Sequence, residues 1–386
     1  MHGMEFRHYY LAKNFIELGY SVTIISATQS HLFQNAPKDD NAYNFEKIDS
    51  IQYIWSKVFK YKNSKDKLRI LKWFWFCLKL YFLPLKKIDK PDVIIMSSAA
   101  PFIVYPCLYL KKKFNAKLVF EVKDIWPLSL MNIGGFKATH PFIKLMANAE
   151  KKSILKSDFV VSNLPNYQEH VDTLKLNVKT YWMPNGIERS EEHALNDNTK
   201  SKLPKNKFVI GYAGTIGQAN AINYLLESAK LLLKEVEIAF VIVGNGLEKE
   251  QYQKFCQANN LINVTFLEAI PKDEVQALLS HFDLNFIGWR NEEIYKYGIA
   301  ANKIFDYMLS GKPILHSFSG KGDIIESNNC GITVPAENPA AIAEAIINFY
   351  KMDSAQRMEY GKNGRASVLE KFTYKKISEN YITLFQ

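Results

Sequence analysis

The 386-residue chain has few cysteines, no internal repeat and no low-complexity tract. Its four cysteines are scattered without the spacing of a metal site, which indicates buried thiols in a reducing compartment. The first fifteen residues lack the apolar core of a signal peptide, so we expect a cytoplasmic protein. A hydrophobic content of 47% excludes a disordered chain and predicts a folded body.

The net charge of +10 is unevenly distributed along the chain. Residues 1–190 carry 28 Lys and Arg against 16 Asp and Glu (+12), whereas residues 191–386 carry 21 against 23 (−2). A basic half indicates an anionic partner, either nucleic acid or an acidic lipid surface. Because the basic residues belong to no recognisable nucleic-acid module, we expect no nucleic-acid partner.

Short apolar runs alternate with helical patterns in both halves. They span residues 21–26, 92–98, 117–124, 158–163, 208–214, 238–244, 264–270, 284–289 and 313–318. This alternation predicts an α/β protein with two doubly wound Rossmann-like domains, one over 1–189 and one over 208–368, joined by a polar linker at 190–207. We expect them to enclose a cleft that holds the ligand. The first domain starts with a helical pattern, so we expect its first strand to be missing and its start to be truncated.

Two strand ends in the second half lead into glycine loops. GYAGTIG contains Gly214 and Thr215, and VIVGNG contains Gly244. Glycine at such a junction lets backbone N–H groups approach phosphate oxygens, but it equally suits a tight turn without a ligand. Neither loop has dinucleotide or P-loop spacing, so both interpretations stay open.

The stretch YGIAANKIFDYMLSGKP, residues 297–313, is more informative. A helix is predicted over about 301–310, with Lys303 and Asp306 on one face. An anion at its first turn would meet the helix dipole and Lys303, and Asp306 would accept hydrogen bonds from a diol such as a ribose. A nucleoside diphosphate has both groups, although a surface Lys–Asp pair would show the same spacing.

These motifs, with GMEFRHYYLAKNFIELGYSVTIIS, FEVKDIWPLSL, MPNGI and NNCGITVP, resemble family 4 retaining glycosyltransferases of the GT-B fold over nearly the whole chain. The likeness is to the branch that builds bacterial capsule and O-antigen repeat units, often as aminosugar transferases. It implies a first domain that faces the acceptor and the membrane and a second that binds a nucleotide sugar. It also implies that residues 369–386 form a helix crossing back to the first domain.

The resemblance further implies a UDP-sugar donor in the second domain. Lys303 would stabilise the leaving diphosphate, and the donor contacts would be Gly214, Thr215, Gly244, Ile270, Gly298, Ile299, Asn302, Lys303 and Asp306. We expect no cofactor and no metal, because a lysine and helix amides would stabilise the departing charge. The family's usual pair of glutamates eight positions apart is incomplete, since position 298 is glycine, and the first glycine loop lacks the usual Arg and Lys.

On the acceptor side, Asp124 follows a strand end in KDIWP. Its carboxylate would orient or deprotonate an acceptor hydroxyl, or it would cap a turn. By resemblance, Gly3, Glu5, Arg7 and His8 lie at the first glycine loop and helix start, facing the acceptor. In enzymes of this type the departing phosphate itself helps to accept the proton of the incoming hydroxyl.

Residues 68–87 predict an interfacial helix. Lys65, Lys72, Lys79 and Lys86 recur every seven residues, with aromatics such as Trp73 and Trp75 between them. The longest uncharged run here is six residues, too short to cross a bilayer, which takes about 20. Lysines reaching lipid headgroups fit this pattern, and a core helix with three solvated lysines fits it too.

Residues and resemblance together predict a retaining, metal-independent transferase. It would move a sugar, an N-acetylated aminosugar or a deoxysugar, from a UDP-sugar to a polyprenyl-diphosphate-linked saccharide. It would work at the inner face of a bacterial membrane, in capsule or O-antigen synthesis. The alternatives are a sugar-nucleotide 2-epimerase of the same fold and a non-catalytic nucleotide-sugar-binding subunit.

Overall fold

The computed structural model describes residues 6–30, 33, 35–60, 68–98, 100–132, 134–188 and 193–386. The chain forms two compact units, one of Met1–Asn185 with Tyr374–Gln386 and the other of Gly186–Thr373. Both units are α/β, which agrees with the predicted fold class. Gly3, Glu5 and Lys65 lie outside the described residues.

The first unit contains two sheets. Its strands are β1 (Thr23–Ala27), β2 (Tyr43–Ile48), β3 (Ile51–Ser56), β4 (Val93–Ser97), β5 (Lys117–Val122), β6 (Phe159–Ser162) and β7 (Thr180–Trp182). Its helices are α1 (Arg7–Glu17), α2 (Leu68–Tyr81), α3 (Val104–Phe114), α4 (Leu128–Asn132), α5 (Pro141–Lys156) and α6 (Tyr167–Thr173). The strand orders are β1-β3-β2 and β4-β5-β6-β7, and among the described residues no strand joins β1 to β4.

The second unit contains one parallel sheet of six strands. They are β8 (Phe208–Ala213), β9 (Ile238–Val243), β10 (Val264–Leu267), β11 (Leu284–Gly288), β12 (Ile314–Ser317) and β13 (Gly331–Val334), in the order β10-β9-β8-β11-β12-β13. Its helices are α7 (Asp197–Ser201), α8 (Ile222–Leu231), α9 (Lys249–Ala258), α10 (Val275–Ser280), α11 (Asn302–Leu309), α12 (Ile324–Ser327), α13 (Pro339–Lys351) and α14 (Ser354–Lys371). The last helix, α15 (Tyr374–Phe385), belongs to the first unit.

Helices cover both faces of the second sheet, and this explains its continuous apolar strands. All six residues of β9 are buried. Ile238, Phe240 and Ile242 pack into one core, while Val241 and Val243 pack into the core on the other face. The sheet is therefore a rigid base for the loops at its carboxyl edge.

Candidate functional site

The strand order of the second unit identifies one place for a ligand. The chain leaves β8 toward β9 on one side, whereas β11 lies on the other side of β8. In open α/β sheets ligands bind outside the carboxyl ends of strands at such a switch point. The loop after β8 carries Gly214 and Thr215, and the segment after β11 leads through Gly298 into α11.

Lys303 extends from the first turn of α11 to this switch point. Its Nζ donates hydrogen bonds to the Tyr212 hydroxyl at 2.9 Å and to the Asn220 amide oxygen. It also lies 4.7 Å from the centre of the Tyr212 ring and 5.6 Å from that of Trp289, which are cation–π distances. Within the described part of the chain no carboxylate pairs with this amine.

Burial without an acidic partner changes the chemistry of Lys303. The loss of hydration lowers the pKa of its amine to about 7. The free protein therefore holds an amine that is about half protonated near neutral pH. An anion bound beside it would supply the missing counter-charge and restore the ammonium.

The groups around Lys303 are themselves fixed. The Thr215 carbonyl accepts hydrogen bonds from the Tyr212 hydroxyl at 2.6 Å and from the Asn220 side chain at 2.9 Å. The Trp289 indole donates to Nε2 of the buried His316 at 3.0 Å. Sequence reasoning missed Tyr212, Asn220 and Trp289, although Tyr212 and Trp289 lie within predicted strands and Asn220 lies in the loop that follows β8.

The two glycine loops differ in what their glycines do. A Cβ at Gly244 would lie 1.9 Å from the Gly214 carbonyl oxygen, and a Cβ at Gly246 would lie 1.9 Å from that of Ile216. Tight packing between the loops therefore explains these two glycines without a ligand. A Cβ at Gly214 would instead lie 3.3 Å from Nζ of Lys303, so this glycine keeps space open beside the amine.

The start of α11 offers backbone donors. No side chain caps it at Ala301, so amides of its first turn, beginning at Asn302, stay available to an anion. Gly298 has φ +92, in the left-handed region where a glutamate would be strained. The conformation of this loop thus explains the glycine at a position where the family that the sequence resembles has a glutamate. The next residue, Ile299, packs against the core.

Asp306 lies one turn further along α11 and already has a partner. Its carboxylate forms an ion pair with Lys272, a mostly exposed lysine that follows the half-buried Ile270 by two residues. The sequence did not predict this pair. A ribose at Asp306 would therefore share the carboxylate with Lys272 or displace the lysine.

A second cluster of charges lies at the carboxyl end of β5 in the first unit. Glu121 is fully buried and accepts hydrogen bonds from Arg7 Nε at 3.0 Å and from the Tyr381 hydroxyl at 2.7 Å. Arg7 also donates to the carbonyl of Met183 at 2.9 Å. The prediction that Arg7 faces an acceptor is therefore wrong, because its guanidinium is 3% exposed and holds this ion pair.

His8 belongs to the same cluster but remains partly accessible. Its Nε2 lies 2.7 Å from the second oxygen of Glu121, and its side chain is 37% exposed. The Arg7 guanidinium and the His8 hydrogen bond hold the pKa of Glu121 well below its usual range, despite burial that acts in the opposite direction. Asp124 is exposed two residues beyond β5, and its backbone N–H donates to Ser98 Oγ at 3.3 Å.

The lysines of α2 do not form the outward stripe that the sequence suggests. Lys72 is half-buried and donates to the Gln29 carbonyl at 2.9 Å, and Lys79 is half-buried with Nζ 4.9 Å from the centre of the Tyr43 ring. Trp73 is 7% exposed and packs inward, so it is not available as a membrane contact. Trp75 does remain at the surface.

The outward face of α2 is instead apolar. Among the described side chains of α2, every exposed one is apolar or aromatic: Leu68, Ile70, Leu71, Phe74, Trp75, Leu78 and Tyr81. Phe82 follows with 69% exposure. The helices of the described ranges include none long and apolar enough to cross a bilayer.

Comparison with known proteins gives a family match within the second unit. The family model described as Glycosyl transferases group 1 matches residues 195–367, nearly the whole second unit. The colanic acid biosynthesis glycosyl transferase WcaI of Escherichia coli, whose assignment is putative, is 23% identical over 280 residues, which cover 70% of this chain and 69% of that protein. Across the curated relatives, the match spans 35% to 69% of their length.

Solved structures extend the likeness to the first unit. Sucrose-phosphate synthase from Thermosynechococcus elongatus matches with a TM-score of 0.73 at 16% identity, covering 97% of this chain and 90% of that one. Anabaena HepE in complex with UDP and glucose matches with a TM-score of 0.60 at 15% identity, covering 87% and 86%. These structural neighbours are GT-B proteins, and the chain has the GT-B fold.

Proposed function

We propose that this chain is a glycosyltransferase of group 1 and family 4 that acts in bacterial surface polysaccharide synthesis. It transfers a sugar, with retention, from a UDP-sugar to a polyprenyl-diphosphate-linked saccharide, without a metal ion. The donor sugar is an N-acetylated aminosugar or a deoxysugar. The supports are the group 1 match, the likeness to a colanic acid glycosyl transferase and a fold shared with a UDP-bound structure.

The observation that carries the donor assignment is the amine of Lys303. A half-buried cation without an acidic partner is costly unless a ligand completes its environment. Lys303 lies at the switch point of the sheet, beside the uncapped start of α11 and the open space at Gly214. A diphosphate has the charge and the oxygen atoms to accept hydrogen bonds from the Lys303 amine and from the backbone N–H groups at the start of α11, and the space beside Gly214 gives it room.

The donor site is tested by titrating UDP into the wild type and Lys303→Ala in a calorimeter. We expect the variant to lose roughly 1.5 to 3 kcal/mol of binding free energy, as for a charge-assisted hydrogen bond. Lys230→Ala, which removes an exposed lysine of α8, is the matched control and should bind UDP normally. Equal UDP affinity in Lys303→Ala and the wild type would remove this residue from the site.

Transfer is tested with UDP-N-acetylglucosamine and a farnesyl-diphosphate-linked N-acetylglucosamine acceptor. We expect UDP release that depends on the acceptor, above a slow hydrolysis. Conversion of the UDP-sugar without acceptor would instead indicate an epimerase. Binding without either reaction would indicate a non-catalytic subunit.

The membrane partner is proposed from the apolar outward face of α2. Lys113 flanks this face, since its Nζ lies 3.2 Å from the Tyr109 hydroxyl and the Tyr109 ring packs 5.5 Å from that of Tyr81. Apolar side chains bordered by lysines suit an anionic bilayer surface. Leu71→Glu with Leu78→Glu should abolish sedimentation with phosphatidylglycerol vesicles and leave UDP affinity unchanged.

The matched control for the membrane test is Leu231→Glu, which charges an exposed leucine of the second unit. It should sediment like the wild type. Unchanged sedimentation of the Leu71 and Leu78 double variant would refute the membrane role of α2.

A further inference from the structure

We propose that His316 is a positioning residue of the donor site, which holds the indole of Trp289 against the amine of Lys303. This inference deepens the proposed function and rests on it, because Lys303 is the group that would meet the diphosphate. All the residues that carry it belong to the second unit.

A chain of hydrogen-bonded side chains runs from β13 to the switch point of the sheet. The Thr333 hydroxyl in β13 donates to the Asp323 carboxylate, and Nδ1 of His316 in β12 lies 3.0 Å from the same carboxylate. The Trp289 indole, in the residue after β11, donates to His316 Nε2 at 3.0 Å. The chain therefore ends at the aromatic ring whose centre lies 5.6 Å from Nζ of Lys303.

The bonding partners leave a single tautomer for His316. Burial acts to raise the pKa of Asp323, but hydrogen bonds from His316 and Thr333 outweigh it, so that pKa lies below its ordinary value. An ionised carboxylate only accepts hydrogen bonds, and an indole N–H only donates them. The imidazole must therefore carry its hydrogen on Nδ1 and present its lone pair at Nε2 to Trp289.

The burial of this chain favours a role in the site over simple packing. His316 is 2% exposed, and its neighbours in β12, Ile314 and Leu315, are fully buried apolar residues. An apolar side chain would fill this position without the cost of desolvating an imidazole and a carboxylate. What the polar chain adds is a directed hydrogen bond, which fixes the rotation of the Trp289 indole.

A fixed indole matters because the contact between a cation and an aromatic ring depends on geometry. An ammonium is attracted to the face of a tryptophan ring within about 6 Å of its centre, and more strongly where water is excluded. Trp289 is 7% exposed, so little water competes with Lys303 for the ring. A ring held in place helps Lys303 to carry its charge where a diphosphate would bind, whereas a ring free to turn would weaken that contact.

The first test is calorimetric titration of UDP into His316→Asn and His316→Gln. Asparagine keeps a donor toward Asp323 but has no acceptor at the reach of Nε2, whereas the longer glutamine places an amide oxygen there. We expect UDP affinity to fall roughly 3- to 10-fold in His316→Asn, the range for weakening one cation–π contact, and to recover in His316→Gln. A fall of less than about twofold in His316→Asn, or no recovery in His316→Gln, would overturn the proposal.

Two further readouts separate positioning from a merely structural role. The indole N–H signal of Trp289 in a nitrogen–proton correlation spectrum is the one that disappears in Trp289→Phe. We expect this signal to move in His316→Asn and to return toward its original place in His316→Gln. In the Trp289→Phe background, His316→Asn should lower UDP affinity no further. An equal fall in both backgrounds would show that His316 does not act through the indole and would overturn the proposal.

Phe349→Leu is the matched control, because Phe349 is fully buried in the core on the opposite face of the same sheet. It should lower the free energy of unfolding of the unit but keep the UDP affinity and the indole signal of the wild type. A loss of UDP affinity in Phe349→Leu equal to that in His316→Asn would trace the effect to stability and overturn the inference. A wild type that does not bind UDP would overturn the proposed donor function itself, whereas failure of the His316 variants alone leaves that function standing.

Discussion

Proton uptake on UDP binding is the sharpest consequence of the Lys303 site. The free amine has a pKa of about 7 because burial removes its hydration and no acidic group in the described ranges compensates for that loss. A bound diphosphate places negative charge beside the amine and should return its pKa to at least the ordinary lysine value of about 10.4. Between these two values UDP binding must therefore take up one proton.

The size of the effect follows from the two protonation states. Above a free pKa of 7, each pH unit lowers the protonated fraction tenfold, so affinity falls up to about 50-fold from pH 7 to pH 9. Residual solvation of the partly accessible side chain would move the free pKa upward and reduce the fall to about 10-fold. The expected loss is therefore about 1.4 to 2.3 kcal/mol.

Calorimetry at pH 8.5 in two buffers of different ionisation enthalpy measures this uptake directly. We expect about one proton per UDP for the wild type and for Lys230→Met, and none for Lys303→Met. The UDP phosphate itself titrates near pH 6, below this window. Equal proton uptake by the wild type and Lys303→Met would refute the reasoning.

Three further predictions concern the same unit. Gly298→Glu should lower the free energy of unfolding of the unit by about 1 to 2 kcal/mol in urea, because φ +92 strains any side chain. An unchanged unfolding midpoint would contradict this. Gly320→Glu cannot serve as a control variant, because a side chain there would collide with Phe318 and the Tyr295 carbonyl. Asp306→Asn should weaken UDP binding more than it weakens pyrophosphate binding if the carboxylate holds the ribose, whereas Lys272→Met should preserve or strengthen UDP binding by freeing that carboxylate. Transfer should persist after dialysis against EDTA, and a loss restored by Mg²⁺ would end the metal-independent proposal.

Five of the six strands in the sheet of the second unit were predictable because they are nearly continuous apolar runs, whereas β13 was not predicted. β8, β9, β10, β11 and β12 all fall within the predicted segments. The hairpin of β2 and β3 was missed because the strand YNFEKI mixes polar and apolar residues, and its turn uses Asp49 and Ser50 with positive φ in place of the usual glycine. Local sequence gives little sign of such a turn.

The orientation of α2 could not be predicted because the helix has two apolar faces. The sevenfold spacing of its lysines shows that Lys72 and Lys79 share a face, but not which neighbouring face packs inward. Tertiary contacts decide which face packs inward. Trp73, Phe76 and Leu80 are buried. Lys72 and Lys79 are half-buried, where they contact Gln29 and Tyr43. The exposed surface of the helix is consequently more apolar than the sequence implied.

The roles of Arg7 and Lys303 cannot be distinguished from the sequence, whereas the structure distinguishes them by how each charge is compensated. Both cations lie at the start of a helix, and both stand in motifs that resemble the same family. Arg7 has Glu121 beside it and carbonyl oxygens around it, so its charge is compensated within the fold and needs no ligand. Among the described residues, Lys303 contacts only neutral oxygens and aromatic rings, so its full charge requires an anion from outside. The absence of a counter-ion among the described residues, more than the presence of a lysine, is therefore what marks the proposed donor site.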